Sequence, residues 1–319
     1  MKLLVTGGLG FIGMNFINYW AERYDDEIIN LDKLTYASNR PEFISAKTPE
    51  NYRFVRGDIC NFEVVQEVVR EVDCVVNFAA ESHVDNSIDN SRTFVETNVL
   101  GTHNLLEAVR KFDVRFHHIS TDEVFGALYP ASRDQFNENT CYSPQNPYSA
   151  TKASADHLVN AYVNTYGIRA TISNCSNNFG PLQHPEKLIP KTIFRLLDGK
   201  KAQLYGDGKQ IRDWIFVEDH CSAIDTILKR GKIGERYLVG SENERTNIEI
   251  VQAIAEILKT GQENVVEFIK DRPGHDRRYS INPSKIRNEL GWKPAHNFME
   301  ALGETVSFYM ANSSLYRNL

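Results

Sequence analysis

The chain has 319 residues, 41% of them hydrophobic and 24% charged, with a formal net charge of −6. This is the composition of an ordinary globular protein, long enough for a sizeable second lobe, and its negative sign argues against a nucleic-acid partner while leaving room for local basic pockets. Five scattered cysteines without a CxxC pair predict free thiols in a reducing cytoplasm and no metal site; the start "MKLLVTGG" lacks a leader pattern, and no apolar run reaches the about 20 residues that cross a bilayer.

Taken in chain order, short apolar runs alternate with longer helical patterns. "KLLVTG" runs into "VTGGLGFIG", which sets Gly7, Gly10 and Gly13 between a predicted strand and the predicted helix "FIGMNFINYWAERY". Glycines there allow a tight turn and let backbone N–H groups approach a pyrophosphate at the helix start, with Phe11 and Ile12 in the first turn. The next strand, "EIINLD", ends on Asp32, at the offset of an acid that binds a ribose 2′-hydroxyl; its charge repels a 2′-phosphate, so NAD is expected over NADP. Lys33 and Thr35 follow it. "YRFVRGD" ends on Asp58, with Ile59 next, and "CVVNFAA" leads into Ala79, Ala80, Glu81, Ser82 and His83. "RFHHIST" ends on Ser120 and Thr121, with His117 and His118 inside the strand as structural residues. After "RATISNCSNN" come Asn177 and Asn178. Such βαβα alternation predicts a doubly wound parallel Rossmann sheet with helices on both faces, whose ligands bind at the carboxyl ends of the strands.

The domain expectation is an NAD-binding domain over 1–178 and a smaller C-terminal α/β lobe that binds substrate, mainly 179–319. A segment near 212–230, "DWIFVEDHCSAIDTILKR", has the pattern of a return to the first sheet.

Two stretches carry chemistry. "STDEVFG" places Asp122 and Glu123 side by side at a predicted strand end, either as a solvated turn or as an acid and a base aimed into a pocket. "PYSATKA" places Tyr148 and Lys152 at i and i+4 on one helix face. A phenol titrates near pH 10 alone, and an adjacent ammonium favours its phenolate, which makes Tyr148 a usable base; a packed tyrosine with a solvated lysine is the plain alternative.

The glycine turn with Tyr-x-x-x-Lys resembles the extended short-chain dehydrogenase/reductase superfamily. The strings "AAESHVD", "STDEV", "NPYSATKA", "CSNNFGPLQHPEKLIP", "RDWIFVEDH" and "DRPGHDRRY" are similar to those of the dTDP-glucose 4,6-dehydratases over almost the whole chain. The resemblance implies bound NAD, a homodimer and conversion of a nucleoside-diphosphate glucose to its 4-keto-6-deoxy product. It implies Tyr148 as the base at the 4-hydroxyl, Thr121 as its hydrogen-bonding neighbour, Lys152 as the tuning cation, Glu123 as the base at C5 and Asp122 as the acid at the 6-hydroxyl. It further implies His83, Asn177, Lys187, Leu188, Tyr205, Arg212, Asn247, Arg272, His275 and Tyr279 on the nucleotide sugar, with Arg278 adding charge for the diphosphate. Asn86, Phe125, Phe179 and Leu182 depart from the residues usual in that family. An epimerase or dehydratase on a UDP- or CDP-linked sugar is the alternative activity, and a non-catalytic nucleotide-sugar sensor is the alternative class.

Overall fold

The computed structural model describes residues 1–44, 51–261 and 264–316. Seven parallel strands form the main sheet: β1 (Lys2–Thr6), β2 (Glu27–Asp32), β3 (Tyr52–Arg56), β4 (Cys74–Asn77), β5 (Arg115–Thr121), β6 (Ala170–Cys175) and β10 (Arg236–Val239). Their spatial order is β10-β6-β5-β4-β1-β2-β3. The chain direction of assembly reverses between β1 and β4, so a crevice opens at the carboxyl ends of those two strands.

Successive residues of a strand point to opposite faces, and the apolar runs supply both. Leu3, Val5, Ile28 and Val76 pack with α1 (Phe11–Arg23) and α8 (Val217–Arg230) through Phe16, Ile17, Trp20, Ile224 and Leu228. Leu4, Ile29, Val75 and Phe116 pack on the other face against α2 (Phe62–Val69), α5 (Thr102–Phe112) and α6 (Pro147–Tyr166). The main sheet is thus covered twice. The segment Val95–Gly101 before α5 is a π-helix, where continuous α-helix was expected, and it buries Thr97 and Asn98 beneath the crevice. An extra residue per turn of this kind commonly marks a functional site.

The predicted strand "RATISNCSNN" divides at Ser176, whose N–H bonds the Val239 carbonyl of the main sheet. Beyond it, β7 (Asn177–Phe179) leaves to pair with β9 (Ile211–Phe216), and β9 pairs with β11 (Glu244–Thr246) in a three-stranded sheet. A two-stranded sheet of β8 (Ala202–Tyr205) and β12 (Val266–Ile269), with α7 (Leu188–Leu197), α9 (Asn247–Leu258) and α11 (Phe298–Ala311), completes the second lobe. The cores of both lobes are continuous, since Ile193, Leu204 and Leu302 belong to the cluster that also holds Leu3 and Trp20. No helix among the described residues is long and apolar enough to cross a membrane.

Candidate active site

The glycine turn sets the floor of the crevice. Gly7 has φ +68°, and a Cβ there would lie 2.7 Å from backbone atoms of Ala79, so the turn sits hard against the chain leaving β4. A Cβ on Gly13 would come within 2.4 Å of the Gly7 carbonyl oxygen. Helix α1 starts at Gly10 without a side-chain cap, and Gly10, Phe11, Ile12 and Gly13 line the cleft. Uncapped N–H groups at a helix start, approached by backbone with no side chain in the way, form a cradle that fits a dinucleotide pyrophosphate.

Around that floor the cleft gathers Asp32, Lys33, Thr35, Asp58, Ile59, Ala79, Ala80, Ser82, Tyr148, Lys152 and Asn178. Asp32 accepts N–H bonds from Leu9 (3.0 Å) and Leu34 (2.8 Å), tying the glycine turn to the loop after β2. Lys33 Nζ lies 3.2 Å from Glu81 and 3.2 Å from the Thr97 hydroxyl. Glu81 lies at the predicted ligand edge, where the sequence assigns it no role of its own, and Thr97, which the sequence does not point to, reaches the cleft through the π-helix.

At the tip of β5, Thr121 accepts the Glu123 N–H at 3.2 Å and starts the short 3₁₀ turn Asp122–Phe125. Asp122 is only 2% exposed, so the solvated-turn alternative is excluded. The Asp122 Oδ2 and Glu123 Oε2 atoms are buried without a protein partner. Burial first, and the Glu123 charge second, push the Asp122 carboxyl well above its usual range. Burial also raises Glu123, but Arg272, Arg212 and Lys187 oppose it there. Two adjacent carboxyls therefore differ: one is held as the acid, and the other is the easier to ionise.

Helix α6 presents Tyr148 and Lys152 in its first two turns, fixed by the capping box of Asn146 and Ser149. The expected phenol–ammonium partnership differs in detail. Lys152 Nζ donates to the Ile119 carbonyl at 2.7 Å. Burial brings Lys152 down to about 8. Burial and Glu123 drive the Tyr148 phenol well above 10, with the Thr121 hydroxyl opposing.

The second lobe closes the other side. Thr121, Asn177 and Lys187 line the same cleft as Asp122, Glu123 and Tyr148. His83 lies within 4.0 Å of Asp85 and 3.8 Å of Glu186. Asp85 also holds Arg272 at 3.3 Å and the Tyr205 hydroxyl at 3.0 Å. His275 Nδ1 donates to Asp271 at 2.6 Å with Gln210 Nε2 3.3 Å away, and the Asn247 N–H bonds the Gln210 carbonyl. Arg212 stacks over Tyr279, 4.2 Å from its ring centre. Leu188 opens α7 and packs against the main core, which makes it a support of the Lys187 backbone more than a polar contact. Arg278 is a correction: Glu244 binds it by two hydrogen bonds of 2.7 and 2.8 Å and the Asp134 carbonyl takes its remaining arm. A guanidinium so occupied has no fork left for a diphosphate.

The departures from the family pattern now have places. Phe125 packs on Phe136 and Tyr142, Phe179 on Trp214, Phe216 and Phe298, and Leu182 beside Leu9 and Met14. All three are buried in apolar surroundings and none lines the cleft. Asn86 donates to the Tyr36 hydroxyl at 2.9 Å.

Comparisons with known proteins agree with this geometry. A family model described as GDP-mannose 4,6 dehydratase matches residues 4–305. The dTDP-glucose 4,6-dehydratase of Mycobacterium tuberculosis is 50% identical over 321 residues, covering 100% of this chain and 96% of its own. A crystal structure of dTDP-glucose 4,6-dehydratase from Streptomyces venezuelae with NAD and TYD bound has a TM-score of 0.95 at 42% identity, covering 100% of this chain and 99% of that one. A UDP-glucose 4-epimerase of Thermus thermophilus in complex with NAD has a TM-score of 0.88 at 30% identity, covering 97% of this chain and 99% of that one.

Proposed function

The chain belongs to the dTDP-glucose 4,6-dehydratase family, and on that footing we propose how its residues divide the work. The enzyme is an NAD-dependent hydro-lyase that converts dTDP-glucose to dTDP-4-keto-6-deoxyglucose. The observation that carries this reading is the buried, adjacent pair Asp122 and Glu123 beside Tyr148 in one cleft. A 4-epimerase has no step that needs two such carboxyls.

Gly7, Gly10, Gly13 and Asp32 would hold NAD against the glycine turn, where it would supply a reversible hydride acceptor for the sugar. Tyr148 removes the 4-hydroxyl proton, with Thr121 bonded to the same oxygen and Lys152 supplying positive charge nearby. The 4-ketone makes the C5 hydrogen acidic, and Glu123 takes it. Asp122 donates a proton to the 6-hydroxyl, which leaves as water. Glu123 then returns a proton to C5, and the proton first taken from the 4-hydroxyl replaces the one Asp122 gave. The sum is loss of one water with no change in oxidation state.

The cofactor is assigned to residues 1–178 and the nucleotide sugar mainly to 179–319; of the expected return segment near 212–230, β9 pairs with β7 and β11 instead of the main sheet, and only α8 comes back to pack on it. Lys187, Arg212 and Arg272 converge on Glu123 electrostatically, which suits a diphosphate carried close to the reacting sugar. Tyr205, Asn247 and His275 cluster around Gln210 in the same lobe and are assigned to the nucleotide. Free cysteines at all five positions favour a cytoplasmic home, and a homodimer is the assembly the family resemblance implies. Purified protein given dTDP-, UDP-, CDP- and GDP-glucose should form 4-keto product with the highest kcat/KM on dTDP-glucose; a preference for UDP-glucose overturns the nucleotide assignment.

A further inference from the structure

A chain of polar groups with no role in the scheme above lies under Lys152. Asp156 is one helical turn beyond Lys152 on α6, fully buried, with the Tyr142 hydroxyl at 2.7 Å and Asn174 Nδ2 at 3.1 Å on its Oδ2. Its Oδ1 has no hydrogen-bond partner and lies 3.5 Å from His118 Nε2. The same imidazole nitrogen is 3.4 Å from Lys152 Nζ. An uncompensated carboxylate this deep is costly unless a cation or a donor offsets it.

The tautomer of His118 follows from its other side. Thr6 donates its hydroxyl to Asn77 Oδ1 at 2.6 Å, which turns Asn77 Nδ2 toward His118 Nδ1 at 3.2 Å. Nδ1 therefore accepts, and the ring carries its proton on Nε2, facing Asp156. Burial keeps the ring neutral. A protonated Nε2 cannot accept from Lys152, so the lysine's firm hydrogen bond goes to the Ile119 carbonyl, and its ammonium meets Asp156 through space across the imidazole.

We propose that Asp156 and His118 are positioning residues for Lys152: a buried carboxylate, oriented by an Nε2-protonated imidazole, balances the lysine ammonium from within the protein and keeps it charged beside Tyr148. The inference rests on the reading of Lys152 as the charge that assists Tyr148. The groups facing Lys152 are few. Asp156 on its own helix favours its charge, burial disfavours it, the Cys175 thiol on β6 is kept neutral by burial, and neutral His118 on β5 lies between. Without Asp156 the balance tips toward a neutral amine at the pH where the enzyme works, and a neutral amine assists no phenolate.

Lys152 is followed in the holoenzyme by NMR of ¹³C-labelled lysine, its resonance assigned with Lys152→Met. In the parent it should titrate near the value of about 8 that burial sets. Asp156→Asn, which keeps shape and removes charge, should lower that midpoint by about one unit, and the alkaline limb of kcat/KM should move down with it, so that rate at pH 8 falls about fivefold and recovers at lower pH. Asp156→Glu keeps the charge and should hold the parental midpoint, where a purely structural role would suffer more from the larger side chain. ¹⁵N spectra of the parent's imidazoles should show His118 neutral and protonated on Nε2; this readout stands even if Asp156→Asn does not fold. A ring protonated on Nδ1, or a lysine midpoint unmoved by Asp156→Asn, overturns the proposal. The lysine titration needs no turnover, so a parent without dehydratase activity sinks only the functional reading.

Discussion

At the scale of single residues the site is built on an unfavourable burial. Asp122 is held with its carboxyl well above the usual aspartate value of 3.8, chiefly by desolvation. A carboxyl whose folded-state value is raised binds its proton more tightly in the folded chain, so the parent protein loses stability as pH rises from about 4 through that raised value. Asp122→Asn removes this term while keeping the shape. The variant should melt above the parent, by a margin that widens with pH across that window, while turnover falls about 10²–10⁴-fold as expected for loss of a positioned acid. Thermal melts at several pH values beside kcat check both halves. A variant that melts lower at neutral pH and keeps full rate contradicts the account. Glu123→Gln behaves differently, because three cations already favour its charge. It should block elimination by a similar factor and leave C4 oxidation intact, so absorbance at 340 nm from enzyme-bound cofactor should build up on mixing with substrate.

At the scale of elements, α6 is the part whose placement decides most. Its N-cap Asn146 accepts the Ser149 N–H at 2.9 Å, and the Ser149 hydroxyl accepts from the Asn146 N–H in return. Asn146→Ala should cost about 0.5–2 kcal/mol in urea unfolding. It should also lower kcat more than it raises KM, since Tyr148 is only two residues inside the cap; an unchanged kcat would show that the first turn is held by packing alone. This helix was legible in the sequence because Asn-Pro, the apolar spacing and the terminal Gly167 all point the same way. The glycine turn, Asp32 and the ends of β1 to β5 were legible for the same reason, since glycines and strand-end acids carry local meaning. The π-helix at Val95–Gly101 was not, because apolar spacing near 3.6 residues does not register one extra residue in a turn. Strand β10 was missed as well: "RYLV" is four residues long, and only its pairing with β6 makes it a strand. The fate of Arg278 lay beyond sequence too, as Glu244 sits 34 positions away and meets it only in the folded lobe.

At the scale of the whole molecule, the cleft works because residues far apart in the chain meet at one sheet edge. Gly7 from β1, Thr121 to Glu123 from β5, Tyr148 from α6 and Lys187 ahead of α7 all line it. The main sheet provides the cofactor floor, and the second lobe brings Arg212 and Arg272 over the carboxyl pair. The closed, paired site separates elimination from simple inversion at C4, although both chemistries share this fold and this cofactor. The most direct test follows the C5 hydrogen. Purified protein turning over dTDP-glucose in D₂O should give 4-keto-6-deoxy product with solvent deuterium at C5 and none at C6, and Glu123→Gln should give neither product nor deuterium. A C4-inverted sugar that keeps its 6-hydroxyl, or a Glu123→Gln variant that labels C5 at the parental rate, would contradict the assignment of Asp122 and Glu123 as the acid and base of a dehydratase.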